Sequence, residues 1–198
     1  MVECWLIRHG QTDWNVEGRY QGQADLPLNE VGLAQADKVA EKMTGKNFDA
    51  LYCSDLLRAC QTAAPLSKSL SLEIKIDPRL REVNLGEWQG QLFTSIREQY
   101  PVEIALRRAD PENSRPPGGE TVRELAHRVW EFFDHMEKTH NGGKVIIVSH
   151  GLTLASVLAR TSGKGLQNIF TLIPENAVPQ VIIWDSKGPY PGPDRKFD

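Results

Sequence analysis

The sequence predicts an α/β protein, a three-layer α/β/α sandwich with a mostly parallel sheet and a small lid insertion. Three observations carry this. Short apolar runs with β-branched residues alternate with helical patterns along the chain. Two of those runs end alike, in Arg8-His9-Gly10 and in Ser149-His150-Gly151. A polar, arginine-rich, proline-punctuated stretch at 91–117 stands apart from the alternation and reads as the insertion.

The elements follow in order. Cys4-Trp5-Leu6-Ile7 reads as a strand covered on both faces. Leu28 to about Gly45 reads as a helix capped by Asn29, with Val31, Ala34, Val39 and Met43 as its apolar stripe. Ala50–Cys53 is a second short strand. Asp55 is expected to cap a helix running towards Ser71, with Pro65 kinking or splitting it. Glu73 to Gly90 has only a weak pattern. Thr121 and Glu124 form a capping box, and Val122, Leu125, Val129, Phe132, Phe133 and Met136 continue one helix face. Gly142-Gly143 ends that helix. Lys144–Ser149 is the strongest strand, Gly151–Thr161 a helix, and Val178–Trp184 a last strand. Residues 1–185 are expected to form one domain, and 186–198 a Gly/Pro-rich tail without fixed structure.

Bulk properties narrow the function. The 198 residues carry a net charge of −3, so no overall positive field draws nucleic acid or an anionic membrane. No apolar run approaches the roughly 18 residues needed to span a bilayer. The N-terminus enters a strand directly, without the basic-then-apolar pattern of a signal peptide. Cys4, Cys53 and Cys60 make an odd number without repeated spacing, as expected of reduced thiols in a cytoplasmic protein.

In a parallel sheet His9 and His150 both fall at carboxyl ends of strands, where open α/β folds bind ligands. Arg58 falls in the first turn of the helix after the second strand. The helix starts after Ser54 and His150 present free N–H groups and a positive dipole end, which favour an anion. Two histidines, two arginines and two helix starts converging on one spot describe a phosphate site, because guanidinium forks match phosphate oxygens in pairs.

Other phosphate chemistries fit poorly. Cys53 and Arg58 are separated by four residues, where a cysteine-dependent phosphatase needs five. There is no Asp-x-Asp pair and no Walker loop. His127, His135 and His140 are spaced by eight and five, which does not align ligands on one helix face, so solvated positions are expected and no metal site. Trp5, Trp14, Trp88, Trp130 and Trp184 read mostly as core or pocket walls, with lining of the substrate cleft as the alternative for Trp14 and Trp88, which lie inside motifs. Arg97, Arg107, Arg108 and Arg115 are either a solubilising lid surface or include a substrate contact.

The run Leu6-Ile7-Arg8-His9-Gly10-Gln11-Thr12-Asp13-Trp14-Asn15 resembles the signature of the histidine phosphatase superfamily, the phosphoglycerate-mutase-like enzymes. The resemblance continues in order through Gly18–Gly22, Asp25–Gly32, Ser54–Thr62, Leu80–Glu82, Gly86–Gly90, Pro116–Thr121 and Val148–Gly151. It implies that His9 is the nucleophile that becomes phosphohistidine, and that Arg8, Arg58 and His150 hold the phosphoryl oxygens. Asn15, Gln21, Gly22 and the backbone at Gly151 would complete the pocket. Glu82 would protonate the leaving oxygen and then activate water. The residues alone leave Glu82 and Glu87 open for that part; the resemblance selects Glu82.

No metal or cofactor is implied, and the expected partner is a small-molecule phosphate ester. The chain length, the short stretch from Gly90 to Pro116 and the Pro-Pro-Gly-Gly-Glu-Thr junction resemble the phosphatase branches, including broad-specificity and α-ribazole phosphatases. Paired Arg107-Arg108 keeps a cofactor-dependent phosphoglycerate mutase as an alternative, beside a non-catalytic phosphate-recognition module.

Overall fold

The computed structural model describes residues 1–188, so the expected tail at 186–198 lies almost wholly outside the described residues. The elements are β1 (Val2–Arg8), α1 (Asp13–Glu17), α2 (Glu30–Met43), β2 (Ala50–Cys53), α3 (Leu57–Leu70), β3 (Ile74–Ile76), α4 (Phe93–Gln99), α5 (Pro101–Ala109), α6 (Val122–Thr139), β4 (Lys144–Ser149), α7 (Gly151–Thr161) and β5 (Gln180–Trp184). The sheet order is β3-β2-β4-β1-β5. All pairings are parallel except that of β5 with β1.

The period of two along β1 builds the layers. Val2, Cys4 and Leu6 enter one core with Phe132 and Phe133 of α6 and Leu154 of α7. Trp5 and Ile7 enter the other, with Val39 and Met43 of α2 and Leu66 of α3. Each fully buried Leu, Ile or Phe stabilises the fold by about 1.5–3 kcal/mol relative to exposure. Helices therefore cover both faces, as the alternation predicts. Among the described residues no helix is long and apolar enough to cross a membrane.

Several elements differ from expectation. The buried stripe of α2 is Gly32, Ala36, Val39, Ala40 and Met43, while Val31 and Ala34 face solvent. The reason is the fit of Gly32 against the turn after β1: a Cβ there would lie 2.1 Å from the Gln11 carbonyl oxygen. Asp55 does not cap α3. Its carboxylate is taken by the Arg81 guanidinium, and the free Leu57 N–H is capped from a distance by Asp25 Oδ1 at 2.7 Å. Pro65 leaves α3 in one piece. The weakly patterned 73–90 stretch holds the three-residue β3 and two 3-10 turns, Pro78–Leu80 and Gly86–Trp88. The stretch 91–117 contains α4 and α5, fastened to the body where Phe93 N–H donates to Gly18 and Gly90 N–H to Tyr20.

Candidate active site

The register of the sheet creates the site. Arg8 of β1 lies opposite Ser149 of β4, so the next residues, His9 and His150, leave the sheet side by side. His9 N–H donates to the Ser149 carbonyl at 2.9 Å, and the two imidazole centroids are 5.2 Å apart. Both rings are buried.

His9 is held in one tautomer. Its Nδ1 is 2.7 Å from the Gly10 carbonyl oxygen, which can only accept, so the hydrogen-bond pattern assigns the proton to Nδ1. The Nε2 lone pair is left facing Arg58, whose Nε–H donates to it at 3.2 Å. The carbonyl of His9 accepts from Asn176 Nδ2 at 2.7 Å. Burial lowers the His9 pKa well below 6.5, and Arg58 and Arg8 lower it further. The ring is therefore neutral at pH 7.

Arg58 is fixed by Nη1 on the Ala24 carbonyl and Nη2 on the Gly22 carbonyl, both at 2.7 Å. Three of its five N–H groups are thus used, and two remain for a ligand. Burial pulls its pKa down to about 10, so it stays charged at neutral pH. Arg8 donates Nη1–H to Pro174 O at 3.0 Å, while its Nε is buried without a partner. His150 places Nε2 2.8 Å from Ser54 Oγ, and its Nδ1 is likewise buried and unpartnered. Burial, then Arg58, holds the His150 pKa well below 6.5.

A cleft of about 220 Å³ opens over Arg8, His9 and Arg58, with His150 behind His9 and not in the lining. Arg8, His9, Asn15, Gln21, Gly22, Arg58, Glu82 and Gly151 all line it. Asn15 Oδ1 accepts from Thr12 N–H at 3.0 Å, which leaves its amide nitrogen as a donor. Gln21 Oε1 is buried and unpartnered. Glu82 is half-buried at the start of α7: its carboxylate accepts from Leu152 N–H and Thr153 N–H, each at 3.1 Å. Gly151 lies between Glu82 and Arg8, since a Cβ there would be 3.5 Å from Glu82 Oε2 and 3.6 Å from Arg8 Nε. Glu87 is elsewhere, its carboxylate accepting from Tyr100 Oη at 3.3 Å.

The sequence reading misplaced some residues and missed others. Trp88 is fully buried between Tyr20 and Tyr100, and Trp14 packs against Gly90, so neither lines the cleft. Of the four lid-region arginines, Arg107 does line it: the guanidinium stacks over Trp88 and Phe170 and keeps a buried, unpartnered Nη1. His127 and His135 are exposed. His140 is not a solvated position, because its Nε2 meets Tyr52 Oη at 2.9 Å. Pro174 and Asn176 escaped notice because nothing local marks a loop that returns to β1 from far along the chain.

Sequence comparison agrees with this geometry. A family model described as histidine phosphatase superfamily, branch 1, matches residues 4–191. The chain belongs to the histidine phosphatase superfamily. Within it, phosphoserine phosphatase 1 of Hydrogenobacter thermophilus is 31% identical over 94% of this chain and 89% of its own. A probable phosphoglycerate mutase, GpmB, of Yersinia pestis is 36% identical over 82% of this chain and 76% of its own. A mycobacterial glucosyl-3-phosphoglycerate phosphatase solved with VO3 superposes with a TM-score of 0.83 at 31% identity, covering 91% of this chain and 92% of its own. The α-ribazole phosphatase of Shigella flexneri also gives 0.83, at 27% identity, with 94% and 92% covered. The superfamily fold is thus present from β1 to β5.

Proposed function

We propose that this histidine phosphatase hydrolyses small phosphomonoesters through a phosphohistidine on His9, without a metal. One observation carries the reading. The Nε2 of a neutral, tautomerically fixed His9 meets Arg58 Nε–H in a cleft that Arg8, His9 and Arg58 line, and Arg8 Nε and, beside His9, His150 Nδ1 are buried and unpartnered. A phosphoryl group on Nε2 brings acceptor oxygens to the two unpartnered nitrogens. The phosphatases among the relatives support the same reaction class.

The ester phosphate enters with its oxygens towards Arg8, Arg58, His150 and the Asn15 amide. His9 Nε2 attacks phosphorus, and the Arg58 Nε–H moves from the ring nitrogen to a phosphoryl oxygen. The phosphorus–oxygen bond to the leaving group breaks, and Glu82 delivers a proton to that oxygen. Charge spread over the phosphoryl oxygens in a loose transition state meets fixed cations, which lowers the barrier. Water then attacks the phosphohistidine, Glu82 takes its proton, and inorganic phosphate leaves. Residues 1–185 act as one catalytic unit, with 91–117 as the lid beside the leaving group.

The test is turnover of p-nitrophenyl phosphate with and without EDTA, with rapid-quench labelling. The expected result is an unchanged rate in EDTA and an acid-labile, alkali-stable phosphate on the wild type that is absent from His9→Ala. Full activity in folded His9→Ala protein sinks the mechanism.

Arg107 favours a second reading, because a spare guanidinium in the cleft suits a second anionic group, as in a mutase cycle. Incubation with 3-phosphoglycerate and a trace of 2,3-bisphosphoglycerate, followed by ³¹P NMR, separates the two. Growth of 2-phosphoglycerate many-fold faster than inorganic phosphate selects the mutase.

A further inference from the structure

We propose that Arg128 and Glu120 are positioning residues for the reaction, a paired brace that fixes the backbone on both sides of Glu82. The inference rests on the reading of Glu82 as proton donor.

Glu82 stands between two 3-10 turns, in a stretch where no sheet or helix pairs its backbone. A group that must deliver a proton has to be held to within about 0.5 Å. Thr153 Oγ1 donates to the Arg81 carbonyl at 2.9 Å and Gln23 Nε2 to that of Glu82 at 3.0 Å, and Arg128, from the second turn of α6, ties these two carbonyls to a third. Its Nη1 donates to the carbonyls of Arg79 at 2.7 Å and Arg81 at 2.8 Å, and its Nη2 donates to that of Glu82 at 2.9 Å. The other edge of the guanidinium meets Glu120 twice, at 2.8 and 3.0 Å. Glu120 carries the brace past the acid: Oε2 accepts from Asn84 N–H at 3.1 Å, and its own N–H donates to Asn84 O at 2.8 Å.

This gives the Pro-Pro-Gly-Gly-Glu-Thr junction a purpose. The segment lies flush against residues 84–87. A Cβ on Gly86 would sit 2.1 Å from Pro117 O, and one on Gly119 would sit 2.7 Å from Asn84 O. Only glycines let the two backbones approach closely enough for Glu120 to reach Asn84. Neither Arg128 nor Glu120 lines the cleft, so the pair acts through Glu82. The planar fork of N–H groups is essential, because one ammonium cannot span three carbonyls and a carboxylate.

The test is a double-mutant cycle on the full chain, read with glycerol phosphate and p-nitrophenyl phosphate. Arg128→Lys keeps the charge opposite Glu120 and loses the fork. Its kcat on glycerol phosphate should fall about ten- to a hundred-fold at nearly constant KM, with a smaller fall on the nitrophenyl ester. Combined with Glu82→Gln it should add no further loss, because both act on one proton transfer. Glu120→Gln turns an amide N–H towards an Arg128 N–H where both carboxylate oxygens accept, so it should slow glycerol phosphate in the same direction as Arg128→Lys, with a smaller fall on the nitrophenyl ester. Additive losses, or equal losses on the two esters, make Arg128 merely structural and overturn the proposal. If Glu82→Gln alone leaves glycerol phosphate turnover intact, the assignment of Glu82 fails and the brace fails with it. Full activity in Arg128→Lys beside a slow Glu82→Gln overturns the brace alone.

Discussion

The buried Arg58 guanidinium donates its Nε–H to Nε2 of His9 at 3.2 Å, so the cation and the imidazole share one hydrogen bond. In the proposed reaction that bond is exchanged for one to a phosphoryl oxygen. Arg58→Lys keeps a charge but loses the fork that also grips Gly22 and Ala24. Its kcat should fall by about a hundred- to a thousand-fold, the usual effect of removing a preorganised donor to transition-state charge. Steady-state kinetics on p-nitrophenyl phosphate checks this, and a fall under tenfold counts against it.

Glu82 should matter most for poor leaving groups. General acid catalysis contributes on the order of a hundred- to ten-thousand-fold. Glu82→Ala should therefore cripple glycerol phosphate hydrolysis and largely spare p-nitrophenyl phosphate, because nitrophenolate departs without a proton. Equal losses on both esters would move the proton donor elsewhere.

Acid should destabilise the fold through the paired histidines. Both are held neutral with pKa values well below 6.5, so between their folded values and 6.5 the unfolded chain binds more protons than the native one. The stabilisation is complete above pH 6.5 and is lost as pH falls from there through the folded values. Each histidine should cost about 1.4 kcal/mol per pH unit in that window. Thermal unfolding from pH 7.5 to 5 should show a falling Tm, with a shallower slope in His150→Gln. A Tm independent of pH in this range would refute the assignment of neutral rings.

Cys60 should be the reactive thiol. It lies in the first turn of α3, and a hydrogen bond from Cys53 lowers its pKa to about 7 despite opposing burial. Burial pushes the Cys4 and Cys53 thiols well up. Iodoacetamide should label Cys60 first, with a rate that rises through about pH 7. Peptide mapping that finds Cys4 or Cys53 labelled first would contradict this.

The parts legible in sequence were those that local pattern encodes. The strand-end histidines follow from apolar runs broken by His-Gly, and the parallel register then sets them together. Capping residues are local too, and Asn29 and Thr121 stand where their spacing places them. Asp55 was misread because a side chain 26 positions away, Arg81, competes for its carboxylate. Trp88 and Arg107 were ambiguous because a motif gives a residue type and not the direction it faces. In the fold the indole turned inward and the guanidinium stacked above it. The choice of Glu82 over Glu87 needed either a resemblance or three dimensions, since only the turn between them aims one at the cleft.

His9 follows the first strand, yet the strands on both sides of β1 are made late. β1 pairs Cys4 with Val145 and Val2 with Trp184, and the His9 carbonyl is gripped by Asn176. During synthesis β1 therefore waits for Lys144–Ser149 before one edge is paired and for Gln180–Trp184 before the other. Such long sequence separations raise contact order and slow folding. They leave an apolar strand unpaired in the nascent chain, a species prone to aggregation. Chains released before Asn176 should thus carry the signature motif without the side chain that grips the His9 carbonyl.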